Sequence, residues 1–129
     1  MKPKILIVLA DYYKEISVEI LDSTIEHIDK KSKFNLIRVP GVFEIPVVIS
    51  KNIKKYDGFI ALGCVIKGET PHFDFISQAT TNAIMQLSID YKKPIGNGII
   101  TALNKDQASN RSIKKGEEAA AAVFSVLSK

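Results

Sequence analysis

Chemistry in this chain concentrates in one stretch, Ala61-Leu62-Gly63-Cys64-Val65-Ile66-Lys67-Gly68-Glu69-Thr70-Pro71-His72-Phe73-Asp74. It leaves an apolar strand, passes a turn flanked by glycines, and enters a helix whose first turn carries His72. Such a junction suits an anion held beside a proton-transfer group. The strand end fixes the geometry, a glycine admits close backbone approach, and a helix N-terminus presents N–H groups without helical partners. A histidine there meets the positive end of the helix dipole, which favours neutral imidazole and suits a general base. The plain alternative is a half-exposed polar residue at a helix start. The stretch nearly spells a P-loop, but Glu69-Thr70 follows Gly68 where lysine and serine or threonine belong. A carboxylate in place of the phosphate-neutralising lysine argues against a nucleotide triphosphate. A smaller anion held by the helix amides stays open.

These groups need elements that bring them together, and the hydrophobic pattern supplies them. Ile5-Leu6-Ile7-Val8-Leu9-Ala10 is a continuous apolar run, as in a strand buried on both faces. Residues 15–30 place Ile16, Ile20, Leu21, Ile25 and Ile28 on one helical face. Phe34 to Val39 reads as a second strand, stopped by Pro40-Gly41, and 44–53 as a short helix with Pro46 in its first turn. Asp57 to Ile66 is the third strand. Thr70 and Pro71 then form the start of a helix that runs to about Tyr91, burying Phe75, Ile76, Ala79, Ala83, Ile84, Leu87 and Tyr91. After Pro94, Ile95 to Thr101 is the fourth strand. The tail is helical from about residue 104, with a break expected around Lys114-Lys115-Gly116. Ala119 to Ala122 either lets that helix approach a neighbour closely or is ordinary core. The alternation predicts an α/β fold, a doubly wound four-stranded parallel sheet with helices on both faces.

Ligands of open parallel sheets bind beyond the carboxyl ends of the strands. The residues there are Asp11-Tyr12-Tyr13, Pro40 to Glu44, Lys67 to His72, and Thr101-Ala102-Leu103. Together they offer aromatic, acidic, basic and imidazole groups, a mixture that could hold a flat polar heterocycle. Tyr12 either stacks on a ring or covers the sheet edge. Glu44 is either a favourable helix-start carboxylate or an acceptor for ring N–H groups, and Glu69 has the same ambiguity. Arg111, one of two arginines, is either surface or a phosphate-binding fork of donors. Cys64 reads as a small buried hydrophobe and His27 as solvated surface.

At 129 residues the chain is expected to be one domain, 1–129, able to bury a core without staples. A single cysteine rules out a disulfide scaffold and fits a reducing cytoplasm. No apolar stretch approaches the roughly 18 residues of a membrane span, and Met1-Lys2-Pro3-Lys4 is unlike a signal peptide. The net charge of +4 is dispersed over lysines at helix ends and connections, with no arginine-aromatic stripe for nucleic acid. Two histidines and one cysteine, far apart, give no metal-ligand pattern. A phosphorylation-driven receiver would need an aspartate at the end of the third strand, where apolar residues and Lys67 stand.

Four blocks, Val39 to Pro46, Ala61 to Asp74, Gly98 to Thr101 with Gln107-Ala108 and Arg111, and Lys115 to Ala120, resemble those of the 6,7-dimethyl-8-ribityllumazine synthase family in order and spacing, over nearly the whole chain. The resemblance implies a transferase at the penultimate step of riboflavin biosynthesis. 5-Amino-6-(D-ribitylamino)uracil would condense with 3,4-dihydroxy-2-butanone 4-phosphate by amine attack, imine formation, phosphate elimination and ring closure, with no metal or organic cofactor. It implies a flavodoxin-like fold and cytoplasmic homopentamers, or multiples of pentamers, with active sites between subunits. Riboflavin synthase is an implied partner. A lumazine or flavin binder of the same fold, without turnover, is the alternative reading.

Carried onto this chain, the resemblance makes His72 the proton-transfer group. Arg111 from the adjacent subunit would hold the phosphate with backbone at Gly68, Glu69 and Thr70. Tyr12 would stack on the pyrimidine, Val42, Phe43 and Glu44 would line the ribityl site, and Cys64, Val65 and Ile66 would present backbone to the pyrimidine edge. Lys115 would lie near phosphate and pyrimidine. The chain departs from the family pattern in several places. Tyr12 replaces phenylalanine or tryptophan, and Lys67 stands where arginine is common. Asn97 stands where an aromatic often closes the neighbour's pocket, which makes that wall more polar. The segment from Arg111 to Lys115 is short, and the amino-terminal extension that adds a strand to a neighbour's sheet is almost absent.

Overall fold

The computed structural model describes residues 2–68 and 73–129. Its elements are β1 (Lys4–Ala10), α1 (Lys14–Glu26), β2 (Lys33–Val39), a 3-10 turn (Val42–Glu44), α2 (Ile45–Lys51), β3 (Gly58–Ile66), α3 (Phe73–Tyr91), β4 (Ile95–Ala102) and α4 (Lys105–Leu127). The strands form one parallel sheet in the order β2-β1-β3-β4. The α/β alternation read from the hydrophobic pattern is therefore the architecture of the molecule.

Both faces of the sheet are covered, and the period of two along each strand divides the core. Ile5, Ile7 and Leu9 of β1 join Ile60, Leu62 and Ile66 of β3 under α1 and α4. Leu6, Val8 and Ala10 join Phe59, Ala61 and Val65 under the 3-10 turn, α2 and α3. Every residue of β3 is buried, which is why its sequence is an unbroken apolar run rather than an alternating one. Among the described residues no helix is long and apolar enough to cross a membrane.

Four local expectations need correction. The helix expected over 15–30 ends at Glu26, because the chain turns at His27, whose N–H returns to Ile25 and Thr24 carbonyls; Ile25 is consequently exposed, while Ile28 still reaches the core. The short helix expected over 44–53 divides into the 3-10 turn and α2, with Pro46 in the first helical turn as anticipated. On α3 only Ile84 of the expected apolar face is fully buried. Phe75 is 76% exposed, and Ala79 and Tyr91 also face outward. α3 packs on α2, the 3-10 turn and the β4 margin of the sheet, so one narrow stripe meets the core. The expected helix starters Thr70 and Pro71 lie outside the described residues.

The fourth correction concerns the tail. No break occurs at Lys114-Lys115-Gly116, and α4 runs unbroken through 23 residues. Gly116 is there because α1 crosses at that point. A Cβ on it would lie 2.7 Å from the Ile20 carbonyl oxygen and 2.8 Å from Thr24 Oγ1. The same crossing explains small polar residues in a buried seam: Ser112 Oγ donates to Glu19 Oε1 at 3.0 Å, and Ser23 Oγ donates to the Ile113 carbonyl. His27, expected as solvated surface, joins the seam's outer end, with Nδ1 2.8 Å from the Ser23 carbonyl oxygen and Nε2 3.9 Å from Glu117 Oε1. Of the alanine run, Ala119 and Ala120 are buried against the sheet and Ala121 and Ala122 are exposed.

Gly116→Ala tests this crossing. At an exposed helical site alanine stabilises by about 1 kcal/mol over glycine, but here overpacking is expected to cost roughly 1–3 kcal/mol. Thermal unfolding should show a lower Tm for the variant; an equal or higher Tm would mean that α1 and α4 do not touch there.

Candidate active site

Strand order reverses between β1 and β3, since the chain winds outward to β2 from one and to β4 from the other. At such a switch point the connections leave in opposite directions and a crevice opens at the carboxyl ends. A cleft of about 280 Å³ lies there, lined by Tyr12, Tyr13, Gly41, Val42, Phe43, Glu44, Cys64, Val65 and Ile76. The β1–α1 connection, the 3-10 turn after β2, the end of β3 and the first turn of α3 build it.

Gly63 sets how closely the 3-10 turn closes over β3. A Cβ at this position would stand 2.6 Å from Val42 Cγ1 and 3.1 Å from Ala10 Cβ. Its place inside β3 makes it a packing residue rather than one that meets a ligand directly. Gly68 is the turn residue of the motif, at φ +86°, with nothing within 4 Å of where a Cβ would be; glycine adopts that backbone conformation without strain.

The walls of the cleft differ in character. Tyr12 and Phe43 are 66% and 63% exposed, so both rings stand free at the rim, and Tyr12 meets Tyr13 edge to face with centroids 4.9 Å apart. Val42 is buried beneath them. Glu44 is half-buried, with Oε1 folded back over Gly41, and no cation among the described residues pairs with it. Asp11 differs: Lys14 and Arg38 each stand 3.6 Å from its Oδ2, which assigns it to structure rather than to a ligand.

The floor is the outer end of β3. Pairing with β1 ends at Leu9 with Leu62, whereas β3 and its pairing with β4 continue to Ile66. Peptide groups on the β1 side of Gly63 to Ile66 therefore have no strand partner there among the described residues. A peptide edge of this kind offers alternating donors and acceptors to the rim of a planar heterocycle. The Ile66 side chain is 1% exposed and points into the α1–α4 core, so this residue can reach the cleft only through its backbone. Burial pushes the Cys64 thiol up from 9.0 to about 11. It is neutral near pH 7, as expected of a packing residue.

The sequence-predicted residues thus fall into two groups. Tyr12, Val42, Phe43, Glu44, Cys64 and Val65 meet in the cleft. Asn97, Arg111 and Lys115 do not. Asn97 is exposed on β4, the strand at the sheet margin, and its Oδ1 accepts from the Ile99 N–H at 3.0 Å. Arg111 and Lys115 border a separate hollow on α4 with Asn110, Lys114 and Glu118. Arg111 donates from Nη1 to the Thr101 carbonyl at 3.2 Å, and among the described residues no carboxylate pairs with it. His72, Glu69 and Thr70 lie outside the described residues. The sequence reading missed Ile76 as a cleft residue; its place on the apolar face of α3 was the signal, but which end of that face meets the cleft depends on how α3 packs.

Comparison with known proteins follows the same lines. Residues 2–129 match the model of the family described as 6,7-dimethyl-8-ribityllumazine synthase. The 6,7-dimethyl-8-ribityllumazine synthase of Bartonella bacilliformis is 42% identical over 123 residues, covering 92% of this chain and 80% of the relative. That of Bartonella tribocorum is 41% identical over 115 residues, with 86% and 76% covered. 6,7-Dimethyl-8-ribityllumazine synthase 1 of Rhodopseudomonas palustris is 37% identical over 136 residues, with 96% and 83% covered.

Cys64 gives a check on the cleft's floor. With its pKa near 11, the thiolate fraction at pH 8 falls roughly 100-fold below that of an unfolded thiol. Reaction with a disulfide reagent should be slower in the folded protein, by less than that factor from ionisation alone because a more basic thiolate is also the better nucleophile. Equal rates in folded and denatured protein would place the thiol on an open surface.

Proposed function

The chain belongs to the 6,7-dimethyl-8-ribityllumazine synthase family, and on that premise we propose how its residues condense 5-amino-6-(D-ribitylamino)uracil with 3,4-dihydroxy-2-butanone 4-phosphate. The observation that carries the reading is the free peptide edge of β3 beneath two exposed rings at the switch point. The pyrimidine stacks on Tyr12, with its ring edge on the backbone of Cys64, Val65 and Ile66. The ribityl chain lies along Val42, Phe43 and Glu44, whose carboxylate accepts from its hydroxyls.

The second substrate brings a phosphate, and among the described residues no lysine or arginine lines the cleft of one chain. Lys14, two residues after Tyr12, pairs with Asp11. Arg111 has donors to spare, but it stands outside this cleft. Both facts support a site shared between subunits, in which Arg111 of one chain completes the cleft of the next and Asn97 forms part of the wall. Gly68, Glu69 and Thr70 supply backbone donors to the same phosphate, and Lys115 stands near it. His72 moves the proton between the attacking amine, the carbonyl oxygen and the leaving phosphate.

An assembly is also consistent with the surface of the single chain. Phe75, Met85 and Ile89 of α3, Val47 of α2 and Ile113 of α4 are each more than half exposed. Phe75, Met85 and Ile89 share one helix, and an exposed apolar face of this kind suits a partner surface. A pentamer, or a multiple of pentamers, working in the cytoplasm and passing its product to riboflavin synthase, completes the proposal.

The test is to supply both substrates to the purified protein and follow the lumazine by absorbance. Turnover well above the uncatalysed rate is expected. Arg111→Ala should raise KM for the butanone phosphate by the equivalent of about 1.5–3 kcal/mol, as for hydrogen bonds to charged groups; an unchanged KM would remove Arg111 from the phosphate site. His72→Ala should lower kcat toward the small end of the roughly 10²–10⁴-fold range of acid–base catalysis, because amine and ketone also react unaided. Full activity in that variant would exclude the histidine. Dissociated monomers, isolated by sizing, should be inactive.

A further inference from the structure

The turn that launches α4 is built more firmly than a strand-to-helix connection requires. Asn104 is the N-cap, and its Oδ1 accepts from the Gln107 N–H at 2.9 Å. Gln107 answers with its own side chain, whose Oε1 accepts from the Leu103 N–H at 2.9 Å. The two bonds run in opposite directions across the same turn: one satisfies the Gln107 N–H, a donor that a helix start otherwise leaves unpaired, and the other ties the residue before the N-cap to the first turn of α4. The Ala108 N–H closes the first helical bond onto the Asn104 carbonyl at 3.2 Å.

Arg111 lies four residues beyond Gln107, on the same face of α4 and one turn further along. Its guanidinium is anchored at the other side of this turn, on the Thr101 carbonyl. Thr101 and Ala102 are held in turn by β3, through the register of Val65 with Thr101 and by the Lys67 N–H on the Ala102 carbonyl at 2.9 Å. Separate hydrogen bonds thus tie down the turn at Leu103, Asn104 and Gln107 and hold Arg111 back onto the strand end at Thr101. One guanidinium donor is used on Thr101, and among the described residues no carboxylate forms an ion pair with the guanidinium.

We infer that Asn104 and Gln107 are positioning residues for the condensation: their reciprocal cap sets the place and direction of Arg111, and through it the binding of the butanone phosphate. This rests on the phosphate-binding role proposed for Arg111. A bidentate contact with a phosphate tolerates little displacement, so a frayed first turn is felt at the substrate even though neither capping side chain touches it.

The test is steady-state kinetics of the assembled enzyme at a temperature well below unfolding, varying each substrate in turn. Gln107→Ala and Asn104→Ala should each raise KM for the butanone phosphate about three- to tenfold, from the loss of one cap interaction. KM for the pyrimidine and kcat should stay near the wild-type values. Asn104→Ser, which keeps a capping oxygen, should restore the low KM. In a double-variant cycle, Gln107→Ala should add no further loss to Arg111→Ala. If Arg111→Ala raises this KM while Gln107→Ala and Asn104→Ala only lower Tm, the cap serves stability alone and the inference is wrong. If Arg111→Ala leaves KM unchanged, the phosphate reading fails and this inference with it.

Discussion

Parallel strands cannot be joined by tight hairpins, so each connection in this chain must cross a face of the sheet, and a helix does the crossing. Most of the molecule follows from that requirement. Helices on both faces bury β3 throughout and β1 from Ile5 to Ala10, and the order β2-β1-β3-β4 forces the winding to reverse once, between β1 and β3. The reversal parts the Tyr12 loop from the loop at Gly68. The longer reach of β3 beyond its pairing with β1 leaves a peptide edge in the gap. The candidate site is thus placed by topology before any catalytic side chain is considered.

Close packing then shapes that place. Gly63 lets Val42 sit directly on β3, which draws Phe43 and Glu44 to the rim. On the opposite face Gly116 brings α1 and α4 together, and α4 starts from a capped turn at the end of β4. The cleft residues therefore belong to one side of the switch point and Arg111 to the other margin of the sheet. A single chain carries the cleft residues and Arg111 at different places, which is why the proposal needs two chains to bring them together.

The parts of this arrangement that are local in sequence were legible from it. The apolar runs Ile5 to Ala10 and Phe59 to Ile66 are doubly buried strand, as read, and Pro40-Gly41 and Pro94 marked real boundaries. The strand-end rule brought Tyr12, Val42, Phe43 and Glu44 together without any knowledge of side-chain positions. What failed was set by packing between distant segments. Gly116 reads as a helix breaker until α1 is laid across it, and Phe75 reads as core because its helical phase is right, although the sheet margin provides no cover. The distance of Asn97, Arg111 and Lys115 from this chain's cleft is likewise set by where β4 and α4 lie, which no spacing along the chain encodes; only the family resemblance assigned Arg111 and Asn97 to a neighbour's pocket.

Subunit mixing tests the shared site. Phe43→Asp should block the chain's own cleft while leaving its Arg111 intact, and Arg111→Ala should do the reverse. Each variant alone should be nearly inactive at low butanone phosphate. Dissociated, mixed in equal amounts and reassembled, they should recover roughly a quarter of wild-type activity, the share of interfaces that pair an intact cleft with an intact arginine in a cyclic assembly. No recovery from a mixture shown to contain hybrid assemblies would mean that Arg111 and the cleft act within one chain, or not together at all.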